Sequence, residues 1–167
     1  MSPNVITTEQ KSWTLSFLSY ADLKALPPQY HELLKSAVKV LPSAYAPYSN
    51  FHVAAAARLK NGEIVTGFNT ENAAYPMCLC AERAALAAAA SKYPTTPVVS
   101  LAVTVKLPGR IIDTPASPCG ACRQVLAEHE QRYGHKMEII LRGEAGPIYV
   151  LNSASDLLPL GFGAEFL

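Results

Sequence analysis

The segment Cys80-Ala-Glu82-Arg83 places a thiol, a carboxylate and a guanidinium within four residues, and downstream Cys119 and Cys122 are separated by two residues in PCGAC. Thiolates suit zinc, and Cys-x-x-Cys is the spacing of half a zinc site. With Cys80 as the third ligand, one coordination position stays open. A water there is acidified, so that a nucleophile exists near neutral pH. Glu82, two residues past a ligand, can reach that water and a substrate without binding metal, which suits a proton carrier. Three thiolates leave such a cluster negative, and Arg83 brings compensating charge.

These residues need elements that hold them together. From Cys80, CAERAALAAAASKY is almost all strong helix formers and stops before Pro94, and CGACRQVLAEHEQRYG reads as a helix ending at Gly134. Both cysteine groups therefore fall at helix starts, where unpaired N–H groups and the dipole favour thiolate. Between them, VVSLAVTV is the β-branched run of a strand buried on both faces. Upstream, PPQYHELLKSAVKVL repeats Tyr30, Leu33, Leu34, Ala37, Val38 and Leu41 at helical spacing. FHVAAAARLK and EIVTGFNTE flank Asn61-Gly62, which predicts a hairpin with a type I′ turn. MEIILRG and GPIYVLN read as the last two strands, with a short helical turn in SASDLLPLGF. Only Gly143 to Gly146 separate those strands, and a parallel crossover needs a dozen residues or more, so they pair antiparallel. The expectation is an α/β fold, a three-layer α/β/α arrangement around a five-stranded mixed sheet. Residues 28–167 form the catalytic domain behind a weakly patterned N-terminal extension, 1–27.

The formal net charge is +1, and the basic residues are scattered singly along the chain. A nucleic-acid backbone calls for clustered Lys and Arg, so no such partner is expected. No apolar run approaches the ~20 residues of a membrane span, and no export signal is visible at the N-terminus. The expectation is a cytoplasmic protein with reduced thiols and no membrane partner.

NTENAAYPMCLCAERAAL followed by SPCGACRQVL closely resembles the cytidine deaminase family, in its three-cysteine nucleoside branch, and the likeness runs from Tyr45 in YAPYSNF to Leu158 in LLPLGF. The chemistry is known for zinc deaminases as a class. The resemblance implies Zn²⁺ on Cys80, Cys119 and Cys122, with Glu82 as proton shuttle. It implies Asn69 and Glu71 on the ribose hydroxyls, Phe51 against the pyrimidine and the Ala81 backbone on the base carbonyl. Asn72 and Tyr75 complete the implied substrate-binding set, and Arg83 is implied as a hydrogen-bond donor to the thiolates. A homotetramer is also implied, with Phe162 reaching a neighbouring subunit. The implied reaction is hydrolysis of cytidine and 2′-deoxycytidine to the uracil nucleosides plus ammonia, as in pyrimidine salvage. The chain departs from the family pattern at Ala54 and Ala84, where Gly and Thr are common, and at His52.

Other readings remain open on the residues alone. Cys78 could join the other three thiols in a closed, non-catalytic Cys₄ zinc module, although one residue between Cys78 and Cys80 is short for paired ligands. A redox Cys-x-x-Cys lacks its usual βαβ setting. The substrate could also be a cytosine-containing nucleoside antibiotic, or a base within a polynucleotide, which the balanced charge disfavours. Deleting the Glu82 carboxylate separates an enzyme from a scaffold, because a scaffold is indifferent to it.

Overall fold

Near-continuous apolar runs in the central strands send buried side chains to both faces of one sheet, and helices close each face. A computed structural model describes residues 8–167; the first seven residues of the N-terminal segment lie outside the described part. The elements in chain order are β1 (Leu18–Tyr20), α1 (His31–Val40), β2 (His52–Leu59), β3 (Ile64–Phe68), α2 (Ala81–Lys92), β4 (Val98–Lys106), α3 (Gly120–Tyr133), β5 (Glu138–Arg142) and β6 (Ile148–Leu151). The sheet order is β1-β6-β5-β4-β2-β3. Among the described strands only β4 and β5 pair in parallel; β5 and β6 pair antiparallel, as the short connection requires.

Among the described residues the sheet has six strands rather than five. The additional strand, β1, runs antiparallel to β6 with Leu18 opposite Val150. It is three residues long, lies at an edge and is largely exposed, so it carries no burial alternation that a sequence pattern could reveal.

Two apolar layers result. On one face Leu33, Leu34 and Ala37 of α1 pack on Ala56, Ala102, Ile140, Ile148 and Val150, joined by Leu26 and Tyr30. On the other, Ala81, Ala85 and Ala89 of α2 and Leu126 of α3 pack on Ala55, Ala57, Leu101, Val103, Ile139 and Leu141. This second layer brings the starts of α2 and α3 together at the carboxyl end of β4.

The β2–β3 turn differs from the expected type I′ form, which needs positive φ at both Asn61 and Gly62. Only Gly62 has it, at 89°. Asn61 Oδ1 accepts the Glu63 N–H at 3.1 Å, an Asx contact that holds the asparagine in an ordinary conformation. The Gly62 N–H meets the Leu59 carbonyl and the Leu59 N–H meets that of Glu63, both at 2.9 Å, giving a three-residue loop.

Gly67 sets how near α2 lies to the sheet. A Cβ built there would stand 2.4 Å from Ala85 N and 2.7 Å from the Ala81 carbonyl oxygen, both backbone atoms that cannot swing aside. Gly67→Ala is therefore expected to push α2, and with it Cys80 and Glu82, off the sheet. The predicted cost is about 1–3 kcal/mol, read by thermal or denaturant melting, together with reduced activity. A melting curve unchanged from wild type would show that the contact yields.

Candidate active site

Cys80 is the N-cap residue of α2, Cys119 is the N-cap of α3, and Cys122 lies in the first turn of α3. Both caps have extended backbone and lack a side-chain hydrogen bond to the helix, so each thiol is left to point away from its own helix. Their sulfurs converge. Cys80 Sγ lies 3.8 Å from Cys119 Sγ, Cys119 Sγ lies 3.5 Å from Cys122 Sγ, and all three lie within 4.8 Å of one another.

These distances fit a single ion. A tetrahedral site with zinc–sulfur bonds of about 2.3 Å sets its sulfurs about 3.8 Å apart. The electrostatics agree. A hydrogen bond from Cys122 holds the Cys80 thiol down to about 6, opposed by burial and by Glu82 and assisted by Cys119 and Arg83. The same bond, with burial and the Glu82 charge, pushes Cys122 up. Metal binding at these sulfurs would displace their protons, as it requires thiolate ligands. Cys78 stands outside this group. Its Sγ accepts the Asn72 N–H at 3.3 Å and faces the Asn72 carbonyl at 3.7 Å, so that thiol belongs to the preceding loop.

Glu82 is only 5% exposed, and burial raises its pKa. It lines, with Cys80 and Cys119, a cavity of about 290 Å³. Phe51, Val53, Val103 and Val105 make apolar walls, while Ser49, Asn69 and Glu71 supply polar groups. Ala81 also faces the cavity; as the first residue of α2 it carries an N–H without an acceptor inside the helix. Asn69 is held by the backbone of β2, with Oδ1 accepting the Val53 N–H at 2.8 Å and Nδ2 donating to the Phe51 carbonyl at 2.9 Å. One amide hydrogen stays available. Glu71 accepts hydrogen bonds from the Ser49 hydroxyl and from the Tyr48 and Ser49 N–H groups, which hold its carboxyl below the usual range. No Lys, Arg or His occurs among the described residues lining this cavity.

The structure thus gathers Cys80, Cys119, Glu82, Phe51, Asn69, Glu71 and Ala81 around one cavity, with Cys122 buried behind them. It leaves other expected residues elsewhere. Asn72 and Tyr75 do not line the cavity, and Tyr75 is 70% exposed, its ring 6.2 Å from that of Tyr48. Arg83 lies in a separate cleft beside Leu79 and Arg132, from which its charge still acts on Cys80. Phe162 is 61% exposed and stacks on Phe166; its carbonyl accepts a hydrogen bond from Gln124 Nε2 of α3.

Ser49, Arg123 and Glu130 were not singled out from sequence. Arg123 fixes the approach to the second cysteine pair, donating from Nε to the Pro118 carbonyl at 2.8 Å and from Nη1 to that of Leu157 at 3.1 Å. Glu130, near the end of α3, accepts from the N–H groups of Met137, Ala154 and Ser155 and from the hydroxyls of Ser153 and Ser155. Burial opposes its charge, but these bonds together outweigh burial and keep the carboxyl below its usual range. The Arg123 spacing one residue after Cys122 was a usable signal; the partners of Glu130 lie 7 to 25 residues away and gave none.

Comparison with known proteins adds independent information. Residues 27–133 match a family model described as the cytidine and deoxycytidylate deaminase zinc-binding region. The chain is 41% identical over 135 residues to a cytidine deaminase of Halalkalibacterium halodurans, covering 80% of this chain and 93% of that protein. It is 36% identical over 138 residues to one from Mycobacterium tuberculosis, covering 83% and 92% respectively. The crystal structure of a cytidine deaminase from Burkholderia pseudomallei superposes with a TM-score of 0.69 at 40% identity, covering 80% of this chain and 98% of the other.

Proposed function

The chain belongs to the cytidine and deoxycytidylate deaminase family, and from that premise we propose that it hydrolyses cytidine and 2′-deoxycytidine to uridine and 2′-deoxyuridine, releasing ammonia. The observation that carries the reading is the convergence of three sulfurs at zinc-ligand spacing beside a buried carboxylate in one cavity.

Cys80, Cys119 and Cys122 hold Zn²⁺, and Glu82 is the catalytic residue. Zinc bound there acts as a Lewis acid that makes water a nucleophile at neutral pH. The chain's own groups do the rest. Phe51 packs on the pyrimidine and Ala81 N–H binds the base carbonyl, which sets C4 at the Glu82 end of the cavity. Glu82 takes a proton from the attacking water and delivers it to N3; it then takes the proton of the new C4 hydroxyl and passes it to the amine, which leaves as ammonia while C4 becomes a carbonyl. Glu82 is suited to this because burial raises its pKa above the ordinary carboxylate value, which favours taking up a proton. At the other end, Glu71 accepts from a sugar hydroxyl and Asn69 donates its remaining amide hydrogen to a second sugar oxygen.

The family description covers both nucleosides and nucleotides. Here the lining supports a nucleoside, because the described wall carries two carboxylates and no cation, and a phosphate would meet only repulsion. A place in pyrimidine salvage accompanies that choice. The exposed Tyr75 and Phe162 support assembly into a homotetramer in which these rings meet a neighbour.

The test is a continuous ultraviolet assay on purified protein. Cytidine and 2′-deoxycytidine should lose their cytosine absorbance with stoichiometric ammonia release, a chelator should stop the reaction, and cytidine 5′-monophosphate should be turned over at least about 100-fold less efficiently. No change with either nucleoside would overturn the reading.

A further inference from the structure

The turn from Ala46 to Asn50 is shaped around a carboxylate. Asn50 N–H closes it on the Ala46 carbonyl at 2.9 Å, and Asn50 takes a left-handed φ of 56°, which asparagine tolerates better than most residues. The Tyr48 and Ser49 N–H groups then point at Glu71 Oε2, at 2.9 and 3.2 Å. Successive N–H groups in such a turn make a concavity for an anion.

Ser49 closes the arrangement with its side chain. Its hydroxyl donates to Glu71 Oε1 at 2.5 Å, and Ser49 Oγ accepts the Phe51 N–H at 2.9 Å. A serine hydroxyl has one proton to give. With an N–H arriving on one side and a carboxylate waiting on the other, that proton has one destination. The Glu71 backbone is fixed separately, by its N–H on the Tyr45 carbonyl at 2.8 Å and by the neighbouring bridge between Thr70 and Leu79.

We propose that Ser49 is the positioning residue for sugar recognition: it locks the Glu71 carboxylate in one orientation, leaving the free side of Oε1 for a sugar hydroxyl. The proposal rests on the reading of Glu71 as the sugar acceptor. Without the hydroxyl, Oε2 keeps its two N–H donors but Oε1 turns to water, and a sugar hydroxyl must reorder it on binding.

The test compares cytidine with 2′,3′-dideoxycytidine, whose sugar lacks both secondary hydroxyls, after melting curves show each variant folded. Ser49→Ala should raise KM for cytidine about tenfold with kcat within about twofold, the signature of lost ground-state binding. It should leave kcat/KM for the dideoxynucleoside within about twofold. Ser49→Thr, which keeps the hydroxyl, should restore the cytidine KM. Equal losses on both substrates, or no rescue by threonine, would mean that Ser49 only supports the turn, and the proposal falls. Glu71→Ala separates the underlying reading: if that variant loses no more on cytidine than on the dideoxynucleoside, the sugar assignment of Glu71 is what has failed.

Discussion

Glu82→Gln is expected to lower kcat by about 10²–10⁴-fold while zinc content stays at the wild-type level. The amide matches the carboxylate in shape, so a side chain that is only 5% exposed loses no packing. It cannot, however, take up a proton and release it again, and both transfers in the proposed reaction pass through this group. Glu82 is not among the three residues whose ligand atoms cluster, so removing its charge leaves the metal donors intact. Single-turnover kinetics beside elemental analysis give the two readouts. Turnover near wild type would remove Glu82 from the chemistry, and loss of zinc would make it part of the metal site instead.

The second large effect divides the cysteines. Cys122→Ala should reduce bound zinc from about one equivalent to a trace and abolish activity, because two thiolates rarely hold zinc where three did. Cys78→Ser should keep both. In the structure the Cys78 thiol is engaged with the Asn72 backbone, whereas Cys122 is fully buried with its sulfur against the other two. Zinc loss in Cys78→Ser would reinstate a closed four-sulfur site and end the hydrolase reading. Melting of Cys122→Ala with and without added zinc distinguishes a lost ligand from a collapsed core.

How much of this was legible in the chain depends on range. The metal cluster was readable because its residues sit at helix starts and their spacing is dictated by ligand geometry. Cys80 and Cys119 are both N-caps, as the helix-forming runs after them imply. The antiparallel pairing of β5 with β6 followed from loop length alone. The strand β1 was not legible, because a short exposed edge has no apolar rhythm and is recruited only by the free side of β6. The hairpin turn was read one conformation wrong: Asn-Gly allows type I′, but the Asn61 side chain found Glu63 instead. Ser49 was not legible because its carboxylate partner Glu71 lies 22 residues downstream, and its bond to Phe51, two residues on, is what an ordinary turn serine makes.

Cys80 and Cys119 stand 39 positions apart, with all of α2 and β4 between them. An ion shared by the two is a staple across that stretch, and by analogy with a disulfide closing a loop of this size it removes roughly 4 kcal/mol of freedom from the unfolded chain. Heat tolerance of the enzyme would then track the supply of free zinc, and metal starvation would cost protein, through unfolding and degradation, as well as turnover.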